Sequence, residues 1–243
     1  MEDESDTAKI IYKRILLKLS GEALAGRNKI GIDTNTIREI ANSIADVYRL
    51  GIEIAIVNGG GNIFRGEIGK ELGLDRCTGD SMGMLATTIN SLAIGDAIEK
   101  LGIPVSVMSS IEMHTITESY NRKKAIELLQ KGQIVLLSCG TGNPLFTTDT
   151  TAALRATELN AEIVLKATRV DGVYNDDPEI NPDAKRIESI SYLDVIQKNL
   201  RVMDLTAISL CMENNMPIYV FDLFDENSIK RIVQGEKIGT IIS

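Results

Sequence analysis

Histidine, cysteine and long apolar runs are scarce in this 243-residue chain, and each scarcity excludes a class of chemistry. His114 is the only histidine. A Ser-His-Asp hydrolase or a multi-histidine metal site would have to be built around it, and its segment carries the flanking signals of neither. It reads as a structural or surface residue. Cys77, Cys139 and Cys211 are odd in number, far apart and never in a Cys-x-x-Cys pair, so they indicate reduced thiols, not a disulfide scaffold or a zinc site. No apolar run reaches the ~20 residues of a membrane span. The opening Met-Glu-Asp-Glu-Ser-Asp is acidic where a signal or transit peptide would be basic. The expectation is a cytoplasmic chain without membrane contact, whose residues 1–12 form a flexible acidic tail.

Basic charge is short as well: the net charge is −8. A nucleic-acid partner held by many phosphate contacts needs a basic face, so none is expected. Small anionic ligands stay compatible, because a local cradle of backbone N–H groups with one or two cations holds a phosphate inside a repulsive overall field. Two familiar nucleotide motifs are missing. No Gly-x-x-x-x-Gly-Lys-Ser/Thr segment occurs, and Gly59-Gly60-Gly61 lacks the third glycine of a dinucleotide-binding fingerprint.

What is present is material for a sizeable core, with 44% hydrophobic and 25% charged residues. From Arg14 onward a short apolar run, a glycine-bearing turn and a helical pattern alternate, which predicts an α/β fold: a three-layer αβα sandwich with a mostly parallel sheet, as one domain over residues 13–243. The strand expectations are Ile15–Leu19, Ile52–Val57, Pro104–Met108, Ile134–Ser138, Ile163–Leu165 and Ile218–Phe221. Their nearly continuous apolarity suits strands covered on both faces. Ile37, Ile40, Ala41, Ile44, Val47 and Tyr48 recur at helical steps, with Asp33 or Thr34 as cap and Gly51 as stop. Met82–Leu101 is a second helix whose apolar residues spread over much of its circumference, either as a core helix or as one that also makes a subunit interface. Residues 168–190 read as a long loop with short strands.

Glycine- or threonine-rich turns stand at the carboxyl ends of four expected strands, the edge where open α/β sheets bind ligands. They are Lys18-Leu19-Ser20-Gly21, Gly59-Gly60-Gly61-Asn62, Gly140-Thr141-Gly142-Asn143 and Lys166-Ala167-Thr168. Consecutive glycines let main-chain amides approach a phosphate, or simply make a tight turn. Arg65 would add a guanidinium fork to the same phosphate, or stay a solvated surface residue. In Gly140–Asp149 the hydroxyls and the acid either contact a ligand or cap a helix. Lys18 and Lys166 each end an apolar strand, where each either snorkels to solvent or stabilises the charge of a γ-phosphoryl group in transfer.

Lys18-Leu-Ser-Gly-Glu-Ala, Gly59-Gly-Gly-Asn-Ile-Phe-Arg-Gly, Gly79-Asp-Ser-Met-Gly-Met-Leu-Ala-Thr, Gly140-Thr-Gly-Asn-Pro-Leu-Phe-Thr-Thr-Asp and Lys166-Ala-Thr-Arg-Val-Asp-Gly-Val-Tyr together resemble the bacterial-type UMP kinases of the amino acid kinase superfamily. The resemblance implies transfer of the γ-phosphate of Mg-ATP to UMP in pyrimidine nucleotide biosynthesis. It implies an ATP site of Lys18, Leu19, Ser20, Gly21, Gly61, Arg65, Thr168, Tyr174 and Asp177. For UMP it implies Gly60, Asp80, Thr141, Gly142, Asn143, Pro144, Leu145, Phe146, Thr147 and Thr148, with Asp80 accepting from ribose hydroxyls. Lys18, Asp149, Lys166 and Arg65 are the expected catalytic residues. No protein metal site is implied, Mg²⁺ being held mainly by nucleotide phosphates and water. A homohexamer with GTP and UTP as effectors is implied too, although after Leu24 the family's glycine and Phe-Gly loop is replaced by Gly26-Arg27-Asn28-Lys29-Ile30-Gly31. The nearest rivals are a kinase of the same superfamily acting on aspartate, glutamate, acetylglutamate or carbamate, and a nucleotide-binding or oxyanion-storage module without phosphoryl transfer.

Overall fold

The apolar runs and the helical periods between them assemble into helices packed on both faces of one sheet. The computed structural model describes residues 9–28, 30–176, 180–181, 183–200 and 202–243. The chain begins with β1 (Arg14–Leu19), α1 (Gly21–Leu24), α2 (Thr34–Tyr48), β2 (Glu53–Asn58), α3 (Gly66–Glu71) and α4 (Arg76–Glu99). It continues through β3 (Val105–Ser109), β4 (Glu118–Ser119), α5 (Arg122–Gln130), β5 (Ile134–Ser138), α6 (Thr148–Glu158) and β6 (Ile163–Thr168). Then follow β7 (Val173–Tyr174), β8 (Arg186–Ile187), β9 (Ser189–Ile190), α7 (Tyr192–Gln197) and α8 (Leu205–Glu213). The last elements are β10 (Ile218–Asp222), α9 (Ser228–Val233) and β11 (Thr240–Ile242).

Nine strands form the sheet in the order β4-β3-β5-β2-β1-β6-β10-β11-β9, with β7 and β8 as a separate pair. Only the β10–β11 pairing within the nine is antiparallel. From central β1 the chain first builds toward β4 and then returns to add β6 on β1's other side, so a crevice opens at the carboxyl ends of β1, β2 and β6 where the winding reverses.

Side chains of a strand alternate between faces. Ile15, Leu17 and Leu19 of β1 accordingly join the cluster under α2, with Ile37, Ile40 and Ile44. Leu16 joins the opposite cluster with Ala152, Ala153 and Ala156 of α6. Lys18 shares the Leu16 parity, which aims it at α6.

All six expected strands form. The short β4, β7, β8, β9 and β11, of two or three residues each, add to them, and β7 with β8 lies inside the long loop of residues 168–190. Asp33 is the cap of α2, its carboxylate accepting from Thr36 N at 2.8 Å, and Gly51 follows the helix at φ +82°. Two boundaries shift. α4 starts at Arg76 because Asp75 accepts from Thr78 N at 3.1 Å; Gly79 and Gly83 had hidden its first turns from the apolar period. The expected tail to residue 12 is too long: Ile10 and Tyr12 pack on the core and Ile11 N donates to Val233 O at 3.0 Å. Residues 1–8 of that tail lie outside the described residues. No helix among the described residues is long and apolar enough to cross a membrane.

Candidate active site at the carboxyl rim of the sheet

Lys18 and Lys166 face each other in register on the adjacent parallel strands β1 and β6. Like charges in that position repel, and the repulsion is relieved by a carboxylate between them. Asp149 Oδ1 lies 2.6 Å from Lys18 Nζ, and Oδ2 accepts from Lys166 Nζ at 2.7 Å. Lys166 also donates to the carbonyl of Val202. Side-chain exposures of 9%, 16% and 12% for Lys18, Asp149 and Lys166 exclude snorkelling for either lysine. Burial pushes the Asp149 carboxyl up, but the two ammonium groups outweigh it and hold the group below its ordinary value. Burial pulls the Lys166 ammonium below its ordinary value, Asp149 opposing and Lys18 adding to the shift. Asp149 is held in place by the first turn of α6, where Thr147 is the N-cap and accepts from Asp149 N and Thr150 N, both at 3.1 Å.

Beside this triad the first two glycine turns pack backbone to backbone. A Cβ at Gly21 would meet Gly61 N at 2.6 Å, and one at Gly60 would meet Gly83 O at 2.7 Å, so only glycine allows the approach. Gly60 is buried, yet among the described residues neither its N–H nor that of Gly61 has a protein acceptor. Buried N–H groups without a partner are rare, which marks this turn as a candidate anion site. The Arg65 guanidinium touches the main chain of this loop, donating to Gly61 O at 3.1 Å, and pairs with Glu22 at 3.1 Å.

Asp149 and Lys166 line a cavity of about 440 Å³ together with Val202 and Asp204, and two other cavities involve the expected nucleotide residues. The larger, about 810 Å³, is lined by Lys18, Ser20, Lys166, Thr168 and Tyr174. Lys166 and Thr168 belong to β6 itself, which runs three residues beyond the expected strand. Leu19 is fully buried, so it offers only its main chain, and Tyr174 donates its hydroxyl to Asp171 at 2.7 Å. Asp177 lies outside the described residues. The smaller cavity, about 360 Å³, is lined by Gly60, Gly61, Asp80, Asn143, Phe146, Thr147 and Thr148. Gly61, expected with the ATP group, therefore lines the smaller cavity.

Thr141, Gly142, Pro144 and Leu145 shape the loop outside that cavity's lining. Thr141 Oγ1 accepts from Asn143 N at 3.2 Å, and Leu145 takes the left-handed φ of 74° that non-glycine residues avoid. Asp80, within α4, accepts from Leu145 N at 2.8 Å, so part of the carboxylate expected for a ribose braces the loop. The Thr147 hydroxyl is likewise engaged, as cap of α6 and as donor to Asp204.

Sequence reasoning missed Asp204, which caps α8 through Ala207 N at 2.9 Å and accepts from Thr150 Oγ1 at 2.9 Å. It also missed the buried amides Asn58 and Asn90 behind the glycine turn, and the burial of Asn62 within that turn. An Asp before a leucine-rich run is a capping signal that marks the first; nothing local marks the others. His114 is an exposed side chain 3.4 Å from Glu112, remote from the triad.

The family model of the amino acid kinase family matches residues 13–222. A uridylate kinase of Legionella pneumophila (strain Paris) is 53% identical over 234 residues, covering 96% of this chain and 95% of its own. The crystal structure of a UMP kinase from Bacillus anthracis superposes with a TM-score of 0.94 at 40% identity, covering 96% of both chains. A uridylate kinase from Archaeoglobus fulgidus gives 0.74 at 29% identity, over 94% of this chain and 99% of its own. The chain belongs to the amino acid kinase family.

Proposed function

We propose that this chain transfers the γ-phosphoryl group of ATP to the phosphate of UMP, giving ADP and UDP, in the cytoplasmic supply of pyrimidine nucleotides. The observation that carries the reading is the Lys18–Asp149–Lys166 triad, whose two lysines line the larger cavity while Thr148, next to Asp149 in the chain, lines the smaller. The larger cavity suits ATP, with Lys18, Ser20, Gly21, Thr168 and Tyr174 around its phosphates and base. The smaller suits UMP, with Gly60 and Thr148 at its phosphate, Asp80's remaining oxygen toward the ribose and the Thr141–Phe146 loop toward the uracil.

A UMP phosphate, with a second pKa near ~6, is mostly dianionic at neutral pH and attacks without a general base. Catalysis then falls to alignment and charge. Lys18 stabilises the equatorial oxygens of the group in flight, Asp149 holds both ammonium groups at the right height, and Lys166 assists. Arg65 joins them once Glu22 releases it to a phosphate. Both Asp149 oxygens already face lysines, and no group of three or more His, Cys, Asp or Glu suited to a metal occurs among the described residues. That donor set fits Mg²⁺ carried on the ATP phosphates and water; when bound, it neutralises developing phosphate charge. The exposed apolar stripe Met82, Leu85, Ile89 and Leu92 along α4 supports burial between subunits of a homohexamer. GTP and UTP are the expected effectors, tested by activity with and without each.

Coupled measurement of ADP release over UMP, CMP, dUMP, aspartate, glutamate, acetylglutamate and carbamate tests the assignment. UMP should give the largest kcat/KM. Turnover with a carboxylate or carbamate alone would transfer the chain to the rival kinases, and tight ATP binding without any turnover would support the storage module.

A further inference from the structure

Asn90 of α4 and Asn62 of the glycine turn form a closed amide pair that neither cavity touches. Asn90 Nδ2 donates to Asn62 Oδ1 at 2.7 Å, and Asn62 Nδ2 donates to Asn90 Oδ1 at 3.0 Å. Each amide has one proton left. Asn90 gives its own to Gly59 O at 2.8 Å, and Asn62 gives its own to Gly31 O at 2.8 Å. Both side chains are at most 2% exposed, so every polar atom of the pair is satisfied out of water.

The bond to Gly59 O has a geometric consequence. In a trans peptide the C=O of one residue and the N–H of the next point in opposite directions. Fixing the Gly59 carbonyl toward Asn90 therefore fixes the Gly60 N–H on the opposite side of that peptide plane, and Gly60 lines the smaller cavity. That N–H has no protein acceptor among the described residues. Gly60 cannot relax sideways, because a Cβ-sized space at it is already filled by Gly83 O and Ala86 Cβ. Asn58 Nδ2 reaches the same carbonyl only at 3.3 Å and is engaged by Thr87 O at 2.9 Å, so Asn90 makes the shorter, dominant contact.

We infer that Asn90 is a positioning residue: acting through Gly59, it aims the Gly60 amide at the phosphate of the acceptor nucleotide. The inference rests on the reading of the smaller cavity as the UMP site. Asn90 touches no substrate. Its side chain holds the Gly59–Gly60 peptide plane, and Asn62 holds Asn90.

Asn90→Asp keeps the volume and the acceptor for Asn62 but cannot donate to Gly59 O; Asn90→Ser removes the reach. The expected result for both is a KM for UMP raised about 10-fold, as for loss of one charge-assisted hydrogen bond. The KM for ATP should stay within about twofold, and amides of residues 59–64 should exchange hydrogen faster in the substrate-free protein. A purely structural residue would lower the active fraction, and with it the apparent kcat, without touching either KM. An unchanged KM for UMP in a folded variant, or an equal rise in both KM values, overturns the inference. UMP turnover by the unmodified chain is the separate control for the function. If that control fails, inorganic phosphate binding by calorimetry replaces the KM: weaker binding in Asn90→Asp upholds the aim of Gly60, and equal binding overturns it.

Discussion

On the side of the cleft proposed for ATP, ionised side chains are fixed to regular structure: Lys18 on β1, Lys166 on β6 and Asp149 on α6. The side proposed for UMP offers main-chain amides, a left-handed turn and a carboxylate that already braces its own loop. Charged groups on strands cannot move far, which suits oxygens whose charge changes during transfer. Amides and loop hydroxyls adapt to shape, which suits recognising one acceptor among similar ones. Side-chain changes on the first side should therefore act on kcat and stability, and on the second side on KM.

The largest expected effect on that contrast comes from Asp149→Asn, which leaves two ammonium groups confined without their anion. Loss of one partner from a buried ion pair costs about 3–5 kcal/mol, and the residual exposure of this triad places it near the lower figure. Denaturant unfolding should show it, with kcat falling as well. The pH dependence follows from sign. Asp149 has a folded pKa below its ordinary value, so its contribution is complete above the unfolded pKa of about 3.9 and is lost as pH falls through the lower folded value. The stability gap between the unmodified chain and Asp149→Asn should stay level from neutral pH down to about 4 and narrow only below it. A gap that narrows near pH 6 would assign the effect to another group.

Asp80→Ala comes next. Losing both the brace on Leu145 and the acceptor for a ribose should raise the KM for UMP by about 10–100-fold, the range for hydrogen bonds to a charged group. The KM for ATP should be unaffected, and a matching rise in it would erase the proposed division. The smallest effect belongs to Leu145→Gly. It relieves a left-handed conformation worth about 1 kcal/mol, so thermal unfolding should rise slightly or stay level, while the looser turn should modestly raise the KM for UMP.

Much of this arrangement was legible in the sequence for identifiable reasons. Strands covered on both faces leave unbroken apolar runs, and β1, β2, β5 and β10 announced themselves that way. A lysine ending such a run is conspicuous, whereas the α6 face that Lys18 shares with Leu16 is set by the fold. The start of α4 was not legible, because Gly79, Asp80 and Gly83 interrupt its apolar pattern in order to line the smaller cavity. Strands of two residues, such as β4 and β9, are set by neighbours in the sheet and have no period to read. Asn62 and Asn90 are 28 residues apart, and Thr147 and Asp204 are 57 apart, so only the fold reveals them as partners. Arg65 shows the reverse case: the sequence offered a guanidinium on the phosphate or a solvated surface residue, and the structure pairs it, partly exposed, with Glu22.

Central to the account is that Lys18 acts on the phosphoryl group in flight and not merely on bound ATP. The direct measurement is kcat of Lys18→Ala with Mg-ATP and UMP both saturating, alongside the KM for ATP. A fall in kcat of about 100–1,000-fold, as for removal of one preorganised electrostatic donor, is predicted. A kcat within about twofold of the unmodified chain, with only the KM for ATP raised, would contradict it.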